Sequence, residues 1–214
     1  VIGKLFFPSD HPTLSLAAVY APFTVTLLMR PVGSAIFGHY ADRKGRKAAM
    51  FTAVLGVGIV TAAFGLLPTL AQAGIIAPIA FLLLRLVQGI FVGGVVATTH
   101  TVGTESVPER WRGAVSGLVG GGGAGLGALM ASLSFWVAST VYQGADFEEM
   151  GWRLMFYSGI LSSVLGIFIL KYLEESPVWL LAQAKKNSVE KPTKSPVSLL
   201  FSGSSRNTFL VNLL

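Results

Sequence analysis

Gly38-His39-Tyr40-Ala41-Asp42-Arg43-Lys44-Gly45-Arg46-Lys47 is a short, strongly charged stretch holding one acidic residue and four Lys or Arg. A long apolar run precedes it, Leu14 to Phe37, and another follows, Ala48 to Leu67. About 20 helical residues at ~1.5 Å rise each cross the hydrocarbon core of a bilayer, and both runs reach that length. A tight basic turn between two such runs marks the cytoplasmic side, where Lys and Arg concentrate. The predicted fold class is therefore an all-α integral membrane protein.

Composition agrees. The chain of 214 residues is 52% hydrophobic and 12% charged, with mean hydropathy +0.66, whereas soluble domains carry about 25% charged residues. The net charge of +6 is spread over short inter-span loops instead of one patch, which argues against a nucleic-acid partner. No cysteine occurs, so disulfides, thiolate metal sites and thiol chemistry are excluded. The sequence opens at Val1 and closes inside the apolar segment Thr208 to Leu214. A fragment of a longer protein is expected.

Outward from the charged turn, five full spans are predicted: Leu14–Tyr40, Ala48–Leu67, Ile75–Val102, Gly113–Tyr142 and Trp152–Tyr172. Val1 to Phe7 is too short to span, and Pro8 to Pro12 is a turn. A sixth span begins near Leu199 or Thr208. Of the 16 Lys and Arg, Arg30 and Arg85 fall inside spans and only Lys4 and Arg153 fall on the outer side. The other twelve share one side, which makes loops 40–47, 103–112 and 174–198 cytoplasmic.

Arg30 and Arg85 each lie roughly 15 Å from an end of their spans by helix rise. A cation facing lipid at that depth costs at least ~2.5 kcal/mol, so both are expected to face protein or a wet cavity. Two readings stand for Arg30, a cavity-lining group or a structural donor to carbonyls freed near Pro31. For Arg85 the functional reading is favoured, because Gln88 and Gly89 lie one turn on and share its face. His39 and His100 are expected as helix–helix hydrogen bonders. No paired carboxylates, nucleophile–base pattern or metal-ligand spacing is visible, so neither a catalytic nor a metal site is expected, nor a cofactor.

Seven glycines fall between Gly117 and Gly127. Gly117, Gly121 and Gly125 recur every fourth residue, a spacing that lets membrane helices approach closely. Neither a preceding strand nor a Gly-Lys-Ser/Thr ending supports a phosphate loop.

These motifs resemble the major facilitator superfamily. Gly38 to Lys47 is similar to its loop signature G-x-L-a-D-r-x-G-r-k, with Tyr40 in place of the usual Leu. Arg85-Leu86-Val87-Gln88-Gly89 with Gly93 and Gly94 resembles the fourth-helix R-x-x-Q-G mark. Glu105, Pro108, Arg112 and Gly113 resemble the turn before helix five. Trp152-Arg153, Phe156 and Glu175-Ser176-Pro177 resemble marks around helix six. Phe6 to Ser9, Leu28 to Gly33 and Gly74 to Pro78 are similar to the metabolite:proton symporters, although Val95 stands where that group usually has an acid.

The resemblance implies the amino-terminal six-helix bundle of a major facilitator fold, helix 1 mostly missing, over residues 1–173. A cytoplasmic central loop over 174–198 and the start of helix 7 over 199–214 follow. It implies a secondary transporter in the cell's inner membrane, working by alternating access between two bundles. The expected cargo is a small organic solute bearing a carboxylate, with protons and the carboxy-terminal half as further partners. Substrate or coupling roles fall to Arg30, Arg85 and Gln88, and gating to Gly38, Asp42, Arg43, Gly45 and Arg46. Asp42 would accept N–H groups at a helix start or pair with Arg46. Gly89, Gly93, Gly117, Gly121 and Gly125 are the expected packing glycines. A sugar or sialic-acid porter, a drug/proton antiporter and a non-transporting receptor or scaffold on this fold are the alternatives.

Overall fold

The structure, a computed structural model, describes residues 5–6, 12–144 and 146–188. The described residues are helical throughout apart from short connections. Helix α1 is Pro12–Lys44, α2 Arg46–Gly65, α3 the single turn Leu70–Ala73, and α4 Ile76–Glu105. A 3-10 turn, Glu109–Trp111, leads into α5, Arg112–Gly117. A π-helical turn, Leu118–Gly122, carries α5 into α6, Gly123–Val141. A second π turn, Phe147–Gly151, opens α7, Trp152–Tyr172, and α8 is Pro177–Ser188.

Four segments are long and apolar enough to cross a membrane: Arg46–Gly65, Ile76–Glu105, Glu109–Val141 and Glu149–Tyr172. Helix α1, at 33 residues, has the length as well, roughly 50 Å. The expected start of helix 7, residues 189–198 of the expected central loop and most of the stretch before Pro12 lie outside the described residues.

The expected loops are shorter than their charges suggested. Helix α1 runs on to Lys44, so the 40–47 turn reduces to Gly45 alone. Its φ of 106° is open to glycine and strained for other residues. Helix α4 likewise continues to Glu105, and α8 occupies part of the 174–198 stretch. Charge does not stop a helix at a membrane surface, where water solvates side chains while the backbone ladder continues.

Helix α4 is the hub, packing on both α1 and α2, while α2 packs on α7. The α1–α4 seam is built on missing side chains. A Cβ added at Gly89 would lie 2.6 Å from the Thr26 carbonyl oxygen, and one at Gly93 2.9 Å from the Arg30 carbonyl carbon. Gly33 and Gly94 meet Ile90 and Phe37 as tightly. The close approach lets Ser34 Oγ donate to the Gly93 carbonyl at 3.1 Å. Phe6, Phe64, Phe81 and Trp152, with Val60, Leu67 and Ala77, form a buried cluster. Helix α6 is the opposite case, with Ala138 as its one buried residue.

Candidate functional site

Arg85 sits about a third of the way along α4, nine residues from Ile76. Its guanidinium carbon lies 4.8 Å from the Phe64 ring centre and 5.1 Å from that of Phe81. Two aromatic faces give a desolvated cation about 2 kcal/mol or more of attraction without neutralising it. Arg85 Nη1 donates to Gln88 Oε1 at 2.9 Å, and Gln88 Nε2 donates to Thr61 Oγ1 at 3.1 Å. The amide thus fixes the guanidinium and is itself fixed from α2. Arg85 Nε is buried without a hydrogen-bond partner.

This group faces an open cavity of about 840 Å³ lined by residues of α2, α4, α6 and α7, within the usual size of small-molecule sites. Its wall is mostly apolar, with Met130, Leu133, Leu154 and Phe156, and carries the polar groups of Arg85, Thr61, Ser134, Tyr157 and Ser158. Ser134 Oγ and Ser158 Oγ are 3.0 Å apart, joining α6 to α7. Tyr157 Oη and Arg153 Nη1 both donate to the Gly65 carbonyl, at 3.1 and 3.0 Å.

The sequence-derived set separates here. Arg85 lines the cavity and Gln88 stands behind it as its hydrogen-bond partner, whereas neither Gln88 nor Arg30 is among the lining residues. The Arg30 backbone instead packs against Gly93, and its Nε is buried without a partner. Gly89 shares a face with Arg85 in sequence, yet its gap is filled by α1. An added Cβ at Gly117, Gly121 or Gly125 would meet nothing within 4 Å, so among the described residues no helix packs on that glycine face. His100 Nδ1 lies 3.2 Å from Ser116 Oγ, bridging α4 to α5 as expected.

The charged motif forms a second site. Asp42 Oδ1 accepts from Arg46 Nη1 at 2.6 Å, and Arg46 Nη2 reaches Glu105 Oε1 at 3.3 Å. Ser176 Oγ donates to Glu105 Oε2 at 2.5 Å. Of the two roles open to Asp42, the structure has the pairing with Arg46. The start of α2 is instead capped by Glu175, whose Oε1 accepts the backbone N–H groups of Arg46 at 2.9 Å and Lys47 at 3.1 Å. Ser176 caps α8 through the Trp179 N–H at 3.3 Å, and Trp179 Nε1 donates to the Asp42 carbonyl. Gly45 lies beneath Glu175; an added Cβ would sit 3.3 Å from its Cδ and closer to Oε2. Gly38 stands in open space, and Arg43 is exposed in the last turn of α1.

Sequence reasoning singled out neither Glu175, Ser176 and Glu105 as partners of the motif nor the Phe64 and Phe81 cage. Glu175-Ser176-Pro177 carried a signal in its N-cap pattern, Ser followed by Pro at the first helical position. Among the described residues no group of three His, Asp or Glu could hold a metal ion.

A model of the sugar (and other) transporter family matches residues 9–195. The inner membrane metabolite transport protein YhjE of Escherichia coli K12 is 36% identical over 210 residues, 98% of this chain and 47% of that protein. A proline/betaine transporter of Salmonella typhimurium is 32% identical over 83% of this chain and 35% of its own length. The partially occluded, inward-open structure of the E. coli xylose transporter XylE superposes with TM-score 0.72 at 20% identity, over 87% of this chain and 46% of that one. The chain spans about half the length, or less, of these relatives.

Proposed function

This chain belongs to the sugar (and other) transporter family, within the major facilitator superfamily, and we propose that it works as part of a secondary active transporter. The cargo is a small organic solute bearing a carboxylate, moved across the cytoplasmic membrane by alternating access, with a proton as coupling ion. Residues 1–173 act as the amino-terminal bundle, 174–198 as a cytoplasmic central loop and 199–214 as the start of helix 7. The other wall of the path comes from a carboxy-terminal half. Loops 40–47, 103–112 and 174–198 face the cytoplasm.

The observation that carries the reading is the Arg85 guanidinium, held between two rings and one amide where it lines an open cavity. A cation fixed by neutral groups keeps its charge for an incoming anion, and an apolar wall strengthens that attraction. The relatives named for metabolites and for proline or betaine are consistent with a carboxylate-bearing cargo. The Asp42–Arg46–Glu105–Ser176 chain and the Glu175 cap act as the cytoplasmic gate, since they tie α1, α2, α4 and α8 at one point.

A hydrogen bond to a charged group contributes about 1.5–3 kcal/mol, so Arg85→Gln should weaken carboxylate uptake roughly 10- to 100-fold. The measurement is counterflow of labelled organic acids, proline and betaine in liposomes holding the full-length protein. Unchanged rate and affinity in that variant would remove Arg85 from recognition. A second reading, a neutral sugar as cargo, draws on the hydroxyl lining of Thr61, Ser134 and Ser158. Sugar counterflow that survives Arg85→Gln but not Ser134→Ala/Ser158→Ala would identify it.

A further inference from the structure

A second groove opens between the cytoplasmic ends of α2 and α7, about 550 Å³ in volume. Its lining divides in two. Phe51, Val164, Ile167, Phe168 and Leu170 supply apolar surface, and Lys47 and Lys171 supply two cations. Phe51, Val164 and Phe168 are 42%, 56% and 58% exposed, so the apolar part lies open on the outside of the bundle. Lys47 lies in the first turn of α2 and Lys171 in the last turn of α7, which gathers both residues at one end of the groove.

We propose that this groove binds one anionic phospholipid, its phosphate between the ammonium groups of Lys47 and Lys171 and an acyl chain along Phe51, Val164 and Phe168. The backbone prepares the site. Lys47 Nζ donates to the Lys171 carbonyl at 3.4 Å, so the negative end of the α7 dipole holds the Lys47 ammonium at the backbone of the second lysine that lines the groove. An ammonium has three donors, and this contact uses one. Glu175 does not neutralise the pair by direct contact, because its carboxylate is turned to the backbone N–H groups of Arg46, Lys47 and Ser176.

The layout favours a lipid over other occupants. One charged end and one apolar flank match a headgroup joined to a chain, and lysines near a cytoplasmic leaflet attract its anionic lipids. A second copy docking by the same groove would bring like charges together. A free phosphate would use the lysines and leave the aromatic wall without a role.

Native mass spectrometry of the full chain in detergent, titrated with dioleoyl phosphatidylglycerol or phosphatidylcholine, tests the proposal. The anionic lipid should be retained in preference to the zwitterionic one. Each lysine near such a surface contributes roughly a factor of five, so Lys47→Gln/Lys171→Gln should weaken phosphatidylglycerol binding about 25-fold. Lys185→Gln/Lys186→Gln, the same charge loss placed on α8, should keep it, which shows that net charge alone is not the cause. Phe51→Ala/Phe168→Ala should weaken both lipids, and millimolar inorganic phosphate should displace neither. Equal retention of the two lipids, full retention in Lys47→Gln/Lys171→Gln, displacement by phosphate, or a dimer seated on this face would each overturn the assignment. The readout is lipid retention, so it stands apart from any result on transport.

Discussion

Replacing Glu175 with Gln should loosen the cytoplasmic end of the bundle more than any change at Asp42. The carboxylate sits at the start of α2 and takes the first N–H groups of that helix, Arg46 at 2.9 Å and Lys47 at 3.1 Å. Gln keeps one carbonyl acceptor of the same shape, turns the other oxygen into a donor and removes the charge. A hydrogen bond to an ionised acceptor is worth about 1 kcal/mol more than a neutral one. An anion at a partly buried helix start adds up to about 2 kcal/mol. These two estimates describe largely the same interaction, so the expected loss is about 2 kcal/mol. For a chain of this size that corresponds to a melting temperature about 4–8 °C lower. Asp42 is 45% exposed in its pair with Arg46, and such pairs contribute at most about 1 kcal/mol. Glu174→Gln, an exposed position with the same change in net charge, should leave the melt where it was. Thermal unfolding of the three full-chain variants in detergent gives the order directly. If Glu175→Gln melts with Glu174→Gln, or Asp42→Asn proves the costlier change, the capping argument fails.

Two further substitutions probe the glycines. Gly45→Ala should lower the melting temperature by several degrees, because a φ of 106° strains an L-residue by about 1–3 kcal/mol and the new methyl meets Glu175; circular dichroism melts would register it. Gly93→Ala should cost about 1–3 kcal/mol by forcing α1 from α4, whereas Gly125→Ala should be neutral or stabilising by up to about 1 kcal/mol. Size-exclusion profiles after heating separate the pair, and equal losses would mean that the α1–α4 seam is not specially close.

How much of this was legible in the sequence depended on how local the cause was. The spans follow from apolar length, and the charged 40–47 stretch marks where two of them meet, although the break itself narrows to Gly45. Gly89 and Gly93 were legible as small residues on one face of α4, and they do meet another helix. Gly117, Gly121 and Gly125 have the same spacing and meet nothing among the described residues, because spacing states what a face permits and not what is there to fill it. Arg85 and Gln88 are three residues apart and their contact is a helix neighbour's. Phe81, four residues before Arg85, is a helix neighbour too, but the other ring of the cage is not visible that way, since Phe64 comes from α2. Glu175 lies far from Arg46 along the chain and reaches it only because α7 packs beside α2. The extent of α1 is hidden for a different reason: a run of charges resembles a loop, whereas the helix continues through it to Lys44 and ends only at the positive φ of Gly45.

The π turn at Leu118–Gly122 sets the phase of everything after it. Each helical residue carries about 100° of rotation, and a wide turn takes in one residue more than a regular one. The rows of side chains on α6 are therefore offset by roughly a quarter-turn or more from where an unbroken helix would aim them. Ser134 faces Ser158, and Met130 and Val137 face the cavity, in that offset register. The glycines of this stretch thus behave as a spacer in the angular sense: they decide which stripe of α6 looks inward, without contributing a single contact to the cavity wall before Gly127.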